Sequence, residues 1–285
     1  MSILREKMIN AMKIRGFTPK TQKNYVADVS ALARYCNRSP DKLRKEEVQA
    51  YLLYLSEERK LSWSSCNCAA SSLRFFYKHV LDRQDTRLWI PKRKNMTKLP
   101  EILSRKELER FFSALTNPKY RAIFMTAYGA GLRTGEVMHL QVEDIHSDRM
   151  MIRVRQGKGR KDRYTLLSAR LLTELREYWK IERPVLWLFP GQDSEQPLCH
   201  TSLRKSFHRA KNKARIKKAG SIHCLRHCFA THLLEAGVDL RTLQVLMGHN
   251  SIRSTARYVQ LTAKALGKTR SPLDLLDLSG KQLPQ

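Results

Sequence analysis

The chain has 285 residues, 42% of them hydrophobic, which is enough for two domains with packed cores and argues against intrinsic disorder. It contains 54 Lys and Arg against 26 Asp and Glu, and the formal charge of +28 is spread over residues 1–100 (+12) and 101–285 (+16). A basic surface releases counterions from phosphates on binding, so we expect both halves to contact the same polyanion, a nucleic acid. A solvated basic surface or association with the ribosome is the alternative.

Three further features exclude other classes of protein. The six cysteines (Cys36, Cys66, Cys68, Cys199, Cys224 and Cys228) lack the spacing of a disulfide scaffold, and the chain is too long for one. Charges interrupt the N-terminus, MSILREKMINAMKIRGF, every few residues, unlike a signal peptide. No apolar run approaches the roughly 20 residues that span a bilayer. We therefore expect a reduced, soluble, cytoplasmic protein without a membrane partner.

The first 90 residues have the pattern of a helical domain. In FTPKTQKNYVADVSALARYC, Thr18 followed by Pro19 is typical of a helix N-terminus, and apolar residues follow at helical spacing. KLRKEEVQAYLLYLSEE and SWSSCNCAASSLRFFYKHVL repeat this pattern, with serines available as caps. The sequence thus predicts several packed helices here.

Residues 91–100, PKRKNMTKLP, have the composition of a linker, with two prolines and no apolar periodicity. The segment is also basic, since it contains Lys92, Arg93 and Lys94. We predict that these three side chains contact the nucleic-acid backbone, and an ordinary charged linker is the alternative.

The next domain opens with a helix and then changes period. In LSRKELERFF, Ser104 and Glu107 have the spacing of a capping box, with Leu103 and Leu108 placed as a hydrophobic staple. RMMIRVRQGKGRKDRYTLL then alternates apolar and basic residues around a glycine-bearing turn, which predicts a β-hairpin. Helical patterns then resume, and Gly237 and Gly248 are placed as helix stops. The expected fold class is mainly α with one small antiparallel β-sheet.

HCLRHCFATHLL, residues 223–234, places two histidines, an arginine and two cysteines in six consecutive positions. On a helix, His223, Arg226 and His227 lie within about 100° of one another, and the opposite face is largely apolar. A zinc site would need a second ligand pair, and none has suitable spacing. On this cluster alone, a helix with buried, hydrogen-bonded histidines remains as plausible as an active site.

Residues far from the cluster complete a pattern. GAGLRTGEV carries an arginine with a glutamate three residues later, Glu136, and LMGHNSIRSTARYVQL carries a histidine and a tyrosine nine residues apart. The forty residues from His223 resemble, almost continuously, the C-terminal signature of the tyrosine recombinase (phage-integrase) family. The segment GFTPKTQKNY resembles its N-terminal domain more loosely. Six residues match the family in order and approximate spacing: Arg133, Lys158, His223, Arg226, His249 and Tyr258.

The resemblance implies a two-domain, C-shaped DNA clamp. Residues 1–90 would form a helical, SAM-like core-binding domain, residues 91–100 a basic linker, and residues 101–285 the catalytic domain with a C-terminal tail. The implied activity is site-specific recombination, in which DNA strands are cleaved and rejoined through a 3′-phosphotyrosine and a Holliday junction for integration, excision or resolution. The implied partners are double-stranded DNA recombination sites and further copies of the chain. The chain would be a homotetramer in the synaptic complex and a monomer or weak oligomer without DNA. Its implied location is the cytoplasm, in association with the nucleoid.

By this resemblance, Tyr258 is the nucleophile. Arg133 and Arg226 would hold the scissile phosphate, because guanidinium forks suit bidentate phosphate contact. Two arginines can replace a divalent metal, so the expectation is that no cofactor and no metal are needed. Glu136 is a supporting residue that orients its neighbours.

The remaining roles belong to histidines and to the hairpin turn. His223 would assist in moving the tyrosine proton, and His249 would hydrogen-bond the phosphate. Lys158 would be the general acid, although Lys161 is close enough to compete for that role. His227 and Cys228 are interpreted as residues that pack in the core or support the active-site side chains from behind. Three hairpin residues are predicted phosphate contacts: Arg160, Lys161 and Arg163.

Two other functions stay open at the sequence level. A DNA-binding regulator could keep the fold without chemistry, and a type IB topoisomerase would use related chemistry on unspecific DNA. Within the family, an integron integrase has an additional helical segment for which this chain leaves little room, so a mobile-element or plasmid integrase or a dimer-resolution enzyme fits better. The tail after Tyr258 could dock on a neighbouring protomer or pack against its own protomer.

Overall fold

A computed structural model describes residues 3–83, 87–90, 101–155 and 162–259, to which all structural statements here refer. The chain divides into two compact units, Met1–Thr97 and Lys98–Gln285. The described residues are mainly helical with one small antiparallel sheet, which confirms the predicted fold class. None of the described helices is long and apolar enough to cross a membrane.

The first unit packs four helices around one apolar core. The predicted N-cap is confirmed, since Thr18 Oγ1 accepts a hydrogen bond from the Thr21 amide at 3.3 Å, and Ser62 caps a later helix in the same way. Side chains such as Leu32, Leu52 and Leu73 are fully buried. The helices are α1 (Ile3–Ile14), α2 (Pro19–Cys36), α3 (Lys45–Glu57) and α4 (Trp63–His79), with a 3-10 turn at Pro40–Lys42.

The second unit opens with the predicted capping box. Ser104 Oγ accepts from the Glu107 amide at 3.2 Å, and the Glu107 carboxylate accepts from the Ser104 amide at 2.7 Å. Leu103 and Leu108, predicted as a staple, are both buried in the core. Its helices are α5 (Arg105–Ser113), α6 (Pro118–Gly129), α7 (Thr134–Met138), α8 (Ala169–Glu182), α9 (His200–Lys213), α10 (His223–Glu235), α11 (Leu240–Met247) and α12 (Arg253–Ala256), with a 3-10 turn at Val142–Asp144.

The sheet contains the predicted hairpin and one strand more. Strands β2 (Met151–Val154) and β3 (Arg163–Leu166) pair antiparallel, with Val154 opposite Arg163. A two-residue strand, β1 (Ile145–His146), extends the sheet beside β2 and is too short to show a period of two. The hairpin turn, residues 156–161, lies outside the described residues.

A close approach of the Phe229 ring to the backbone at Gly131 precedes the first arginine of the site. Gly131 ends the α6 region with φ +62, and a Cβ there would lie 2.3 Å from the ring of Phe229 on α10. Glycine avoids both problems at this position, because it has no Cβ to clash with the ring and adopts a positive φ without strain. The chain therefore enters α7 directly against α10, with Arg133 at the first turn.

Candidate active site

Glu136 and Arg133 form a local cap at the start of α7. The Glu136 carboxylate accepts a hydrogen bond from the Arg133 amide at 2.8 Å and another from Arg133 Nη1 at 2.7 Å. A glutamate at the third helical position reaches back to the N-cap residue in this way. The i, i+3 spacing seen in the sequence therefore fixes the direction of the guanidinium.

Arg226 on α10 is buried, with 1% of its surface exposed. Its Nη1 donates to the Gly131 carbonyl at 2.7 Å, its Nη2 donates to the Met247 carbonyl at 2.6 Å, and Nη1 lies 3.6 Å from the Glu136 carboxylate. Burial, followed by the charge of Arg133, lowers the pKa of Arg226 to about 9, which still leaves it protonated at neutral pH. The polar edge of α10 that the sequence predicted is thus in contact with the end of α11 at this arginine.

The C-terminal end of α11 holds three guanidiniums. Three consecutive carbonyls accept one hydrogen bond each: Leu246 from Arg163 Nε at 3.2 Å, Met247 from Arg226 Nη2 at 2.6 Å, and Gly248 from Arg133 Nη2 at 3.2 Å. The last carbonyls of a helix lack intrahelical partners and carry partial negative charge. This helix end, which we call the arginine platform, orients side chains from α7, α10 and β3.

Arg163 forms an internal ion pair. Its side chain is 11% exposed, and its Nη1 and Nη2 donate to the two Glu136 oxygens at 2.9 and 2.8 Å. The phosphate contact suggested by the sequence stays a prediction. Burial acts to raise the pKa of Glu136, but the hydrogen bonds and charges of Arg163 and Arg133 outweigh it and hold the pKa at about 2.

Tyr258 follows α12 and is 1% exposed. Its hydroxyl is hydrogen-bonded to Nδ1 of His227 at 2.8 Å, whereas His223 contacts His227 edge-on at 4.8 Å between ring centroids. His227, which the sequence suggested as a packing or supporting residue, is thus the histidine that contacts the phenol, and the role of His223 in moving the phenol proton stays a prediction. The His249 ring is parallel to that of Tyr258 at 6.4 Å, and its Nδ1 is hydrogen-bonded to Thr255 Oγ1 at 2.9 Å.

All three histidines around Tyr258 favour the neutral state. Burial, followed by nearby positive charges, lowers the pKa of His227 and of His249 to about 4, and lowers that of His223 as well. Burial raises the pKa of Tyr258, although Arg257 and Arg226 oppose the shift. At neutral pH the site thus contains a protonated phenol, neutral imidazoles and charged guanidiniums.

The structure brings together seven of the predicted site residues and adds one. The addition, His227, lies four residues after His223 and so shares its helix face, which was the available signal. Within the described ranges, no group of three His, Cys, Asp or Glu side chains could hold a metal ion. The other predicted site residues lie outside the described residues: Lys92, Arg93, Lys94, Lys158, Arg160 and Lys161.

The helical fold and this site are those of a tyrosine-type site-specific DNA recombinase. The chain belongs to the phage integrase family, since residues 101–265 match the model of that family and residues 4–86 match its N-terminal SAM-like domain. It is 41% identical to the putative integrase/recombinase y4qK of Sinorhizobium fredii over 281 residues, which cover 97% of this chain and 90% of that protein. Tyrosine recombinase XerA of Thermococcus kodakarensis is 32% identical, with 93% of each chain covered.

Solved structures show the same architecture. A XerA recombinase structure covers 94% of this chain and 99% of its own, with 27% identity and a TM-score of 0.55. A XerH recombinase structure in a post-cleavage complex covers 93% of this chain and 83% of its own, with a TM-score of 0.68. Its 22% identity supports the fold alone. A silent regulator or a topoisomerase is not favoured by this set of relatives.

Proposed function

We propose that Tyr258 cleaves DNA by attacking a phosphodiester held by Arg133 and Arg226. The observation that supports it is the arginine platform, which holds both guanidiniums at one helix end, from where their charges act to lower the pKa of the Tyr258 phenol. The phenol oxygen forms a bond to phosphorus, the 5′-oxygen leaves, and a 3′-phosphotyrosine results. Attack by a 5′-hydroxyl reverses these steps, so rejoining needs no external energy source. The guanidiniums stabilise the charge that develops on the non-bridging oxygens.

Proton transfer belongs to the neighbouring side chains in this proposal. Neutral His227, which is hydrogen-bonded to the phenol, would accept its proton, with His223 behind it, and His249 would hydrogen-bond the phosphate. Lys158 would protonate the leaving 5′-oxygen, and Lys161 is the other candidate for that role.

The same proposal extends to DNA and to further copies of the chain. Residues 1–90 would bind the recombination site as a core-binding domain, the linker 91–100 would follow the backbone, and residues 101–285 would form the catalytic domain. The relatives' structures include XerH bound to a difH substrate and a lambda integrase dimer bound to a core site, which supports double-stranded DNA as partner. Exchange between two duplexes through a Holliday junction requires four protomers, and the expected location is the nucleoid.

Covalent trapping tests the nucleophile. DNA fragments from the gene's own locus, nicked so that the cleaved end diffuses away, are incubated with wild-type or Tyr258→Phe protein in EDTA. We expect a denaturation-resistant protein–DNA adduct with the wild type alone. An adduct that persists in Tyr258→Phe would contradict the assignment, and so would retarded but uncut DNA with both proteins across the locus.

A further inference from the structure

Glu136 is shared unequally among three arginines. Arg163 occupies both carboxylate oxygens at 2.8 and 2.9 Å, Arg133 Nη1 approaches one oxygen at 2.7 Å, and Arg226 stays 3.6 Å away. Three guanidiniums around one carboxylate leave a net charge of +2. Glu136 thus accepts four hydrogen bonds, two from the Arg163 guanidinium and two from the amide and Nη1 of Arg133, and Arg226 donates none to it.

We propose that Arg163 is a positioning residue for the phosphate clamp. It supplies half of the hydrogen bonds to Glu136, which limits Arg133 to one side-chain contact with that carboxylate and leaves Arg226 3.6 Å away, so that the other donors of both guanidiniums can bind the scissile phosphate. This inference rests on the proposed function, because it assigns the clamp role to Arg133 and Arg226. It makes Arg163 part of the protein interior and not a DNA contact.

A second observation ties Arg163 to the arginine platform. Gly248 has φ +60, and a Cβ at this residue would lie 2.6 Å from Cδ of Arg163. The aliphatic part of the arginine thus passes over a glycine, and its Nε then donates to the Leu246 carbonyl. Arg163 is in this way fixed to the same helix end that holds the two clamp arginines, and it connects that end to β3.

The geometry requires an arginine. Nε and both terminal nitrogens of Arg163 are used at once, on one carbonyl and two carboxylate oxygens. A lysine ammonium is a point charge and cannot span these acceptors. Without Arg163, the freed carboxylate would attract Arg133 and Arg226, and the net charge facing a phosphate would fall by one.

The test separates positioning from DNA contact and from folding. Four proteins are compared: wild type, Arg163→Gln, the double variant Glu136→Gln/Arg163→Gln, and the matched control Arg121→Gln, which breaks a bidentate pair with Glu174 between α6 and α8. For each, adduct formation on the nicked DNA is timed at saturating protein, DNA affinity is measured by gel retardation, and thermal unfolding is recorded.

We expect Arg163→Gln to slow adduct formation about tenfold or more, with affinity changed less than about threefold, since lost transition-state contacts act on the rate. The double variant should regain at least about threefold over Arg163→Gln, because the freed carboxylate is gone. Arg121→Gln should react like the wild type. An unchanged rate, a loss confined to affinity, or equal losses in both single variants would overturn the proposal.

A DNA-free measurement keeps the two proposals distinguishable. In a crystal structure of Arg163→Gln, we expect Arg226 Nη1 or Arg133 Nη2 to move within 3.2 Å of Glu136, in place of the lost contacts. If the contacts of Arg133 and Arg226 to Glu136 do not change and water takes the place of Arg163, the positioning role is wrong. If the guanidinium moves but the wild type forms no adduct, then the proposed function fails, and what remains is that Arg163 keeps the other arginines from Glu136, without a clamp to position.

Discussion

One hydrogen bond of His227 determines where the phenol of Tyr258 lies without DNA. The 2.8 Å contact between Nδ1 and the hydroxyl, together with 1% exposure, keeps the oxygen away from solvent. A phosphate cannot reach an oxygen that the protein covers, so we expect the tyrosine to become accessible when DNA binds. A buried hydroxyl without this partner would cost about 1–3 kcal/mol.

The buried histidines make stability depend on pH. In the unfolded chain the histidines have a pKa of about 6.5, whereas in the folded protein the pKa values of His227 and His249 are lowered to about 4. Unfolding is therefore favoured as the pH falls below 6.5, by at most about 1.4 kcal/mol per pH unit for each histidine and less where the ring keeps solvent contact. We expect the urea midpoint to fall between pH 7 and pH 5.

Replacing one histidine provides the control for this pH dependence. His227→Asn keeps a polar atom near the phenol but does not titrate, so its urea midpoint should fall less over the same interval. Glu136 does not change stability over this pH interval. Its pKa is lowered to about 2, so its contribution to the free energy of unfolding is fully present above pH 4.5. Parallel curves for the two proteins would show that His227 does not titrate as expected.

Residue spacing predicted the members of the site better than their contacts. The positions of Arg133, Arg226 and Tyr258 followed from the pattern, but the partner of the phenol did not. Helical angles place His223 and His227 on one face, and they cannot tell which imidazole nitrogen meets a hydroxyl thirty-one residues later. The ion pair of Arg163 depends on a turn at Gly248, far away in sequence.

The contact between α10 and the end of α6 depends on Gly131. Alanine at this position would combine a positive φ with a Cβ 2.3 Å from the Phe229 ring. We expect Gly131→Ala to lower the free energy of unfolding by about 2–4 kcal/mol, through backbone strain and overpacking. Urea denaturation measures this loss.

Gly135→Ala is the matched control, since the structure offers no atom within 4 Å of a Cβ there and φ is not positive. Alanine in the short helix α7 should be neutral or stabilising by up to about 1 kcal/mol. Equal effects of both substitutions would mean that the close approach of Phe229 does not control stability.

Local chemistry explains which elements were predictable. The caps at Thr18 and Ser104 use neighbours three residues away, so sequence alone revealed them. The strands β2 and β3 showed a period of two. β1 has only two residues and exists because β2 provides its hydrogen bonds, which is a tertiary cause without a sequence signal.

At the scale of the whole molecule, the charge of +28 makes salt the main control of DNA affinity. Each neutralised phosphate contributes about 0.9 to the slope of log affinity against log salt. If Lys92, Arg93 and Lys94 follow the backbone, then replacing all three by Gln should lower this slope by up to about 2.7 for duplex DNA, measured between 50 and 200 mM salt with the full chain.

The control removes the same charge from exposed residues of α8 and of its C-terminal cap, with Arg176, Lys180 and Arg183 changed to Gln. Long-range repulsion and attraction are screened beyond about 10 Å at 0.1 M salt, so charges that do not touch phosphates should change the slope by less than about 0.5. Equal slopes in the two triple variants would instead favour an ordinary charged linker. A selective decrease in the linker variant would mean that DNA contact continues between the two basic halves, which charge composition alone cannot establish.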